Sequence, residues 1–118
     1  MHPSLLPLQR IEDLDQLLAD GRSLLLFKHS FTCGVSAEAL DELIGHLERD
    51  GAGDARYAVI TVQTHRALSN TVAQRFGVRH ETPQALLIRD GRVVWSATHF
   101  RVTADAVRAA LSAPLVSR

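Results

Sequence analysis

Cys33 is the only cysteine of the chain, and it lies in the segment Thr32-Cys33-Gly34-Val35-Ser36, between a strand-like apolar run and a helix-like run. A thiol at the start of a helix faces unpaired backbone N–H groups and the positive end of the helix dipole, and both favour the thiolate, which is the nucleophilic form. In a Cys-x-x-Cys redox motif the fourth position is a second cysteine, but here it is Ser36, which cannot form a disulfide. The segment therefore predicts monothiol chemistry.

Three further side chains are candidates to act on this thiol. Ser36 has two interpretations: it donates a hydrogen bond to the Cys33 thiolate, or it satisfies an amide at the helix N-terminus. His29 precedes Cys33 by four residues and His80 lies near the Thr82-Pro83 turn, so each would tune the thiolate if the fold brings it close. The six histidines are scattered without the tight spacing of metal ligands, and no metal site is predicted.

Length and composition are those of one compact domain spanning residues 1–118, with 46% apolar residues and a formal net charge of zero. The twelve arginines and one lysine are spread along the chain, which argues against a nucleic-acid-binding surface. No basic leader and no run of about twenty apolar residues is present, so we expect no membrane segment and a cytoplasmic protein. A single cysteine suits a reducing compartment and leaves open a transient disulfide-linked dimer through Cys33.

Apolar periodicity predicts the elements that position these residues. The first half has the pattern helix, strand, helix, strand, and the last three of these elements form a right-handed parallel crossover unit. The second half predicts a third helix, a hairpin with a type I′ turn, and a last helix with Thr103 as its N-cap and Pro114 beyond its end. The residues that define these predictions are, in order, Ile11 to Leu18, Ser23 to Phe27, Leu40 to Leu47, Tyr57 to Val62, Leu68 to Phe76, Ala85 to Arg89, Asp90-Gly91, Val93 to Thr98, and Ala106 to Leu111. Trp95, on the hairpin, is expected in the core.

This order of elements resembles the thioredoxin fold, an α/β fold with a four-stranded mixed sheet and flanking helices, here with an extra N-terminal helix. The local sequence is more specific and resembles the monothiol bacilliredoxins. The matching segments are Phe27-Lys28-His29-Ser30, Thr32-Cys33, Ser36-Ala37, His65 to Asn70, Phe76-Gly77-Val78, His80 to Gln84 and Val93-Val94-Trp95.

The resemblance implies a thiol–disulfide oxidoreductase that removes bacillithiol from protein mixed disulfides. Cys33 would take bacillithiol from the modified protein and be released by a second bacillithiol molecule, with no tightly bound cofactor. The partners implied are therefore bacillithiolated proteins and bacillithiol itself. In thioredoxin-like folds the proline equivalent to Pro83 follows a cis peptide bond and faces the cysteine, which leaves the backbone of Thr82 free to pair with substrate. The resemblance thus places Thr32, Gly34, Ser36, Thr82 and Pro83 around Cys33.

The chain departs from the family pattern Thr-Cys-Pro-Ile-Ser at Gly34, which replaces the proline. Glycine does not fix φ, so the loop is expected to be more mobile. The change also brings the motif close to the Cys-Gly-Phe-Ser signature of monothiol glutaredoxins that hold a [2Fe–2S] cluster, although Val35 replaces the phenylalanine. A [2Fe–2S] carrier and a non-catalytic thioredoxin-like binding or sensor module are thus the two alternatives.

Overall fold

The computed structural model describes residues 1–113, and the predicted role of Pro114 lies outside them. Five strands, four α-helices and one short 3₁₀ helix follow one another along this part of the chain. They are β1 (Leu5–Pro7), α1 (Ile11–Leu18), β2 (Leu24–His29), α2 (Gly34–Asp50), β3 (Arg56–Thr61), α3 (Arg66–Phe76), β4 (Gln84–Arg89), β5 (Arg92–Thr98), a 3₁₀ turn (His99–Arg101) and α4 (Ala104–Ser112).

The strands form one mixed sheet in the order β1-β3-β2-β4-β5. β2 and β3 are parallel on either side of the α2 crossover, whereas β4 is antiparallel to both β2 and β5. Asp90 and Gly91 join the last two strands with φ values of 52° and 74°, the positive values that a type I′ turn requires. The parallel unit and the hairpin predicted from the sequence are confirmed.

The prediction of four strands is wrong by one, because Leu5–Pro7 pairs with β3 as a parallel edge strand. This strand has only three residues and includes Pro7, so it carries no alternation that a sequence pattern could detect. Tertiary packing specifies it instead: Leu5 is only 2% exposed and lies in the core. Helix α1 is therefore the connection between β1 and β2, and not an isolated addition at the front of the fold.

The core has two halves, one on each face of the sheet. α2 and α4 cover one face, and α1 and α3 cover the other. All six residues of β2 are buried, as predicted for a central strand, and their side chains alternate between the two faces. Lys28 and His29, the last two residues of β2, consequently reach opposite layers of the molecule. Trp95 packs against the α2 side of the core but is only partly buried, so its predicted core position is met in part.

The sheet register brings two segments to one edge. β2 ends at His29, and the antiparallel strand β4 begins at Gln84 opposite Lys28. The loop that carries Cys33 follows β2, and Thr82-Pro83 precedes β4, so both lie at this edge of the sheet.

Candidate active site

Cys33 is the N-cap residue of α2, with extended backbone angles of φ −114° and ψ 123°. Its carbonyl accepts the helical hydrogen bond from the Ala37 N–H at 3.1 Å, and its own N–H donates to the Ser30 carbonyl at 3.3 Å. The side chain is half-buried and free of disulfides. The thiol thus lies where the sequence predicted it, at the N-terminus of a helix of 17 residues.

Side chains of the loop before Cys33 are linked to a residue that follows β3. Gln63 Nε2 donates to Thr32 Oγ1 at 3.0 Å and also contacts Ser30 Oγ, while the two hydroxyls lie 3.3 Å apart. Thr32 is a predicted site residue, whereas Gln63 was not identified from the sequence. The available signal was its position just after a strand parallel to β2, since such strands end at the same edge of the sheet.

Ser36 is fully buried, and its hydroxyl has two partners. It accepts from the Ser30 N–H at 2.9 Å and lies 2.8 Å from His29 Nδ1. Neither partner is one of the two predicted for it, the Cys33 thiolate or a helix amide. The structure instead shows a clamp that ties the first turn of α2 to the end of β2.

His29 is close to the cysteine loop, as its predicted tuning role requires, and only 6% exposed. Burial lowers the pKa of this imidazole, so the neutral ring is favoured. His29 Nδ1 shares a hydrogen bond with the Ser36 hydroxyl, which also accepts from the Ser30 N–H, so His29 contacts the site through Ser36 and not through the Cys33 thiol.

The peptide bond between Thr82 and Pro83 is cis, as the resemblance implied. The Pro83 carbonyl accepts from the His99 N–H at 3.0 Å, which attaches the turn to the segment after β5. Pro83 is buried and Thr82 is half-buried, and the register of β4 against β2 puts this turn at the same end of the sheet as the Cys33 loop.

Beneath this turn lies a buried polar group that the sequence did not reveal as part of the site. Lys28 is completely buried, and its Nζ lies 3.0 Å from the Ser69 carbonyl and 3.2 Å from His80 Nδ1. The other ring nitrogen of His80 lies 3.4 Å from Thr82 Oγ1. The only lysine of the chain, at the end of an otherwise apolar run, was the signal available for this cluster.

Burial also controls the charges in this cluster. It lowers the pKa of Lys28 to about 8. Burial lowers the pKa of His80 as well, with smaller contributions in the same direction from the Lys28 and Arg66 charges and an opposing one from Glu81. The structure thus connects His80, a predicted tuning residue, to Lys28, to Thr82 and to the Ser69 hydroxyl, which lies 3.2 Å from Nδ1, and not directly to the thiol.

Residues 1–113 contain neither a membrane-spanning helix nor a cluster of metal ligands. None of the helices described there is long and apolar enough to cross a membrane. The same residues contain no group of three or more histidine, cysteine or acidic side chains arranged to hold a metal ion.

Sheet order, the cis proline and a thiol at the start of α2 together define a thioredoxin-fold protein. Solved structures agree: a putative oxidoreductase with a thioredoxin fold superposes with a TM-score of 0.83 at 30% identity, covering 92% of this chain and 95% of its own. A mutant thioredoxin from Halobacterium salinarum gives a TM-score of 0.74 at 24% identity, covering 99% of this chain and 98% of its own. Fasciola hepatica thioredoxin gives a TM-score of 0.73 at 14% identity, covering 92% of this chain and 97% of its own.

Within that fold class the family is also defined. The family model for monothiol bacilliredoxin BrxC matches residues 6–107. The chain belongs to the monothiol bacilliredoxin BrxC family, as the sequence resemblance implied, and this family and fold support a thiol–disulfide redox function.

Proposed function

We propose that the protein removes bacillithiol from mixed disulfides with protein cysteines, using Cys33 as the nucleophile. The observation that carries the proposal is the placement of the only thiol at the N-terminus of α2, in a chain that matches its family over residues 6–107. Bacillithiol and bacillithiolated proteins are the proposed partners, and the cytoplasm is the proposed location, because the exchange needs a reducing pool of small thiols.

The reaction consists of two thiol–disulfide exchanges. The Cys33 thiolate attacks the bacillithiol sulfur of the mixed disulfide; a bond forms between these two sulfurs, and the target cysteine leaves with the electron pair as a thiolate. A second bacillithiol thiolate then attacks the same sulfur, which releases Cys33 as a thiolate and forms bacillithiol disulfide. Electrons balance, since each step breaks one S–S bond and forms another.

The geometry of the site supports both steps. The helix N-terminus stabilises the Cys33 thiolate as attacking group in the first step and as leaving group in the second. Ser36 occupies the place where a dithiol protein would have its resolving cysteine, and its hydroxyl is engaged by Ser30 and His29. The Cys33 adduct therefore persists until an external thiol resolves it.

The test uses a protein carrying bacillithiol on a single cysteine, mixed with the full chain and free bacillithiol. Wild-type protein is expected to release several equivalents of target thiol, measured by mass spectrometry, with bacillithiol on Cys33 as the intermediate. Cys33→Ser, the matched control, is expected to release none above background. Release that stops at one equivalent would indicate a binding or sensor module, and the absence of any Cys33 adduct would exclude the proposal. Equal turnover of a glutathionylated target would remove the assignment of bacillithiol.

A further inference from the structure

Lys28 is a buried cation without a counter-ion among the described residues. Its side chain is completely buried, and it forms no ion pair with any carboxylate of residues 1–113. Burying an ammonium group is costly unless hydrogen bonds satisfy it, and the hydrogen-bond partners of Lys28 Nζ are the Ser69 carbonyl and His80 Nδ1. Packing alone does not explain why a lysine is buried at this energetic cost, at the end of the sheet that carries Cys33.

The chemistry of the ammonium group fixes the direction of the hydrogen bonds. A protonated lysine has only donors, so His80 Nδ1, 3.2 Å from Lys28 Nζ, accepts and the proton of the neutral ring lies on Nε2. The Ser69 hydroxyl is also 3.2 Å from Nδ1, and in this tautomer it can act there only as a donor. Nε2–H then points to Thr82 Oγ1 at 3.4 Å, which accepts it. The Thr82 hydroxyl proton is consequently free to be donated elsewhere. Arg66 and Glu81, the other charged groups that act on His80, do so in opposite directions.

The end of this chain of donors lies at the same end of the sheet as the Cys33 loop. Thr82 is half-buried and directly precedes Pro83. It lies at the end of the sheet where α2 begins with Cys33 as its N-cap. The sulfurs that exchange at Cys33 must approach this edge, and the sulfur that leaves does so as an anion.

We propose that Lys28 and His80 are positioning residues that hold the Thr82 hydroxyl as a hydrogen-bond donor to the thiolate leaving during exchange at Cys33. The inference rests on the proposed function and adds residues to it. No proton is transferred along the chain: the Thr82 hydroxyl stabilises the departing sulfur while the new S–S bond forms, and water protonates the released thiolate afterwards.

The first experiment observes the His80 ring directly, by the ¹⁵N chemical shifts of its two nitrogens at pH 7. In the wild-type protein we expect Nε2 to be protonated and Nδ1 to be bare. In Lys28→Met, which replaces the ammonium with an apolar side chain of similar length, we expect a mixture of tautomers. A proton on Nδ1 in the wild type, or the same tautomer in both proteins, would overturn the inference.

The second experiment measures the rate at which Cys33 takes bacillithiol from a mixed disulfide with the single-cysteine target. Thr82→Val keeps the shape and removes the hydroxyl, and we expect it to slow this step about tenfold, the size expected for one hydrogen bond to a charged group. Thr82→Ser keeps the hydroxyl and is expected to stay within about twofold of wild type. Lys28→Met should resemble Thr82→Val.

The outcomes separate the two proposals. If the wild type exchanges normally and Thr82→Val is equally fast, the positioning role is wrong and the proposed function stands. If the wild type itself does not exchange, both are wrong. Circular dichroism checks that each variant is folded. If Lys28→Met does not fold, comparing Thr82→Val with Thr82→Ser still tests the role of the Thr82 hydroxyl.

Discussion

Gly34 occupies the first position of α2, where the family pattern has proline, and its surroundings leave space for a Cβ atom. A Cβ built on Gly34 meets no atom within 4 Å. Cys33 has φ −114° and ψ 123°, which is the extended conformation that a residue before proline adopts. Proline is also favoured at the first helical position, where its missing N–H would have no partner within the helix.

Gly34→Pro is therefore expected to stabilise the protein, by about 0.5–1 kcal/mol, chiefly because it restricts the unfolded chain. The measurement is the urea midpoint of unfolding, alongside the rate of Cys33 exchange, which we expect to be maintained or raised because the loop is held more firmly. Gly34→Ala is the matched control, with a smaller gain. A lower urea midpoint for the proline variant would show that the loop needs the freedom of glycine.

At the scale of single residues, the sequence predicted what depends on local order and not what depends on distant contacts. Cys33 at a helix start and the cis bond before Pro83 follow from adjacent residues and a matching order of elements. The bonds of Lys28 to Ser69 and His80 span 41 and 52 positions, and no local pattern encodes them. Ser36 illustrates the same limit. Its residue type and position indicated a hydrogen-bonding role at the start of α2, but its partners, Ser30 and His29, depend on how α2 packs against the end of β2.

Among the elements, β1 contributes more to the sheet and to the core than its length of three residues would suggest. Its three residues extend the sheet beyond β3, and only the first is buried: Leu5 is 2% exposed, whereas Leu6 is 41% exposed and Pro7 is exposed as well. The longer elements were predictable because each presents a repeated apolar face, whereas a strand of three residues offers one buried side chain and no period.

Leu5→Ala is expected to lower the free energy of unfolding by about 2–4 kcal/mol, because it leaves a cavity in the half of the core covered by α2 and α4. Leu6→Ala, on the same strand, is expected to cost less than about 0.5 kcal/mol. Urea unfolding of the two variants provides the comparison. Equal and small effects would show that β1 contributes little to the stability of the fold.

For the molecule as a whole, two polar clusters, each built on a buried side chain, lie toward opposite ends of the sheet. Lys28 and His80 lie at the edge that carries Cys33. Towards the other end, the hydroxyl of Tyr57, near the start of β3, forms a hydrogen bond with His46 Nε2 at 2.7 Å, and His46 Nδ1 lies 2.9 Å from Asp50. Burial raises the pKa of Tyr57 to about 12, with a further contribution from the Asp50 charge.

These two clusters predict the stability of the protein in alkaline solution. Lys28 has a pKa of about 8 when folded and 10.5 as its ordinary value, so between these values the unfolded chain binds more protons and stability rises with pH, by roughly 3 kcal/mol. Tyr57 has the opposite sign: its folded pKa of about 12 exceeds the ordinary 10.0, so its contribution is lost as pH rises from 10 to 12.

Urea unfolding at pH 7, 8, 9 and 10 tests the first of these terms, with Lys28→Met as the matched variant. We expect Lys28→Met to be the more stable protein at pH 7, because it removes a buried charge, and this advantage to shrink steadily as wild-type Lys28 becomes neutral. Tyr57→Phe removes the hydrogen bond to His46 and so lowers stability at every pH below 10, but because Tyr57 itself titrates mainly above pH 10, this variant should keep the wild-type slope of stability against pH between pH 8 and 10. If the difference between wild type and Lys28→Met stays constant from pH 7 to 10, Lys28 does not titrate in this range, and its ammonium is held charged by the Ser69 carbonyl and His80 more strongly than burial opposes it.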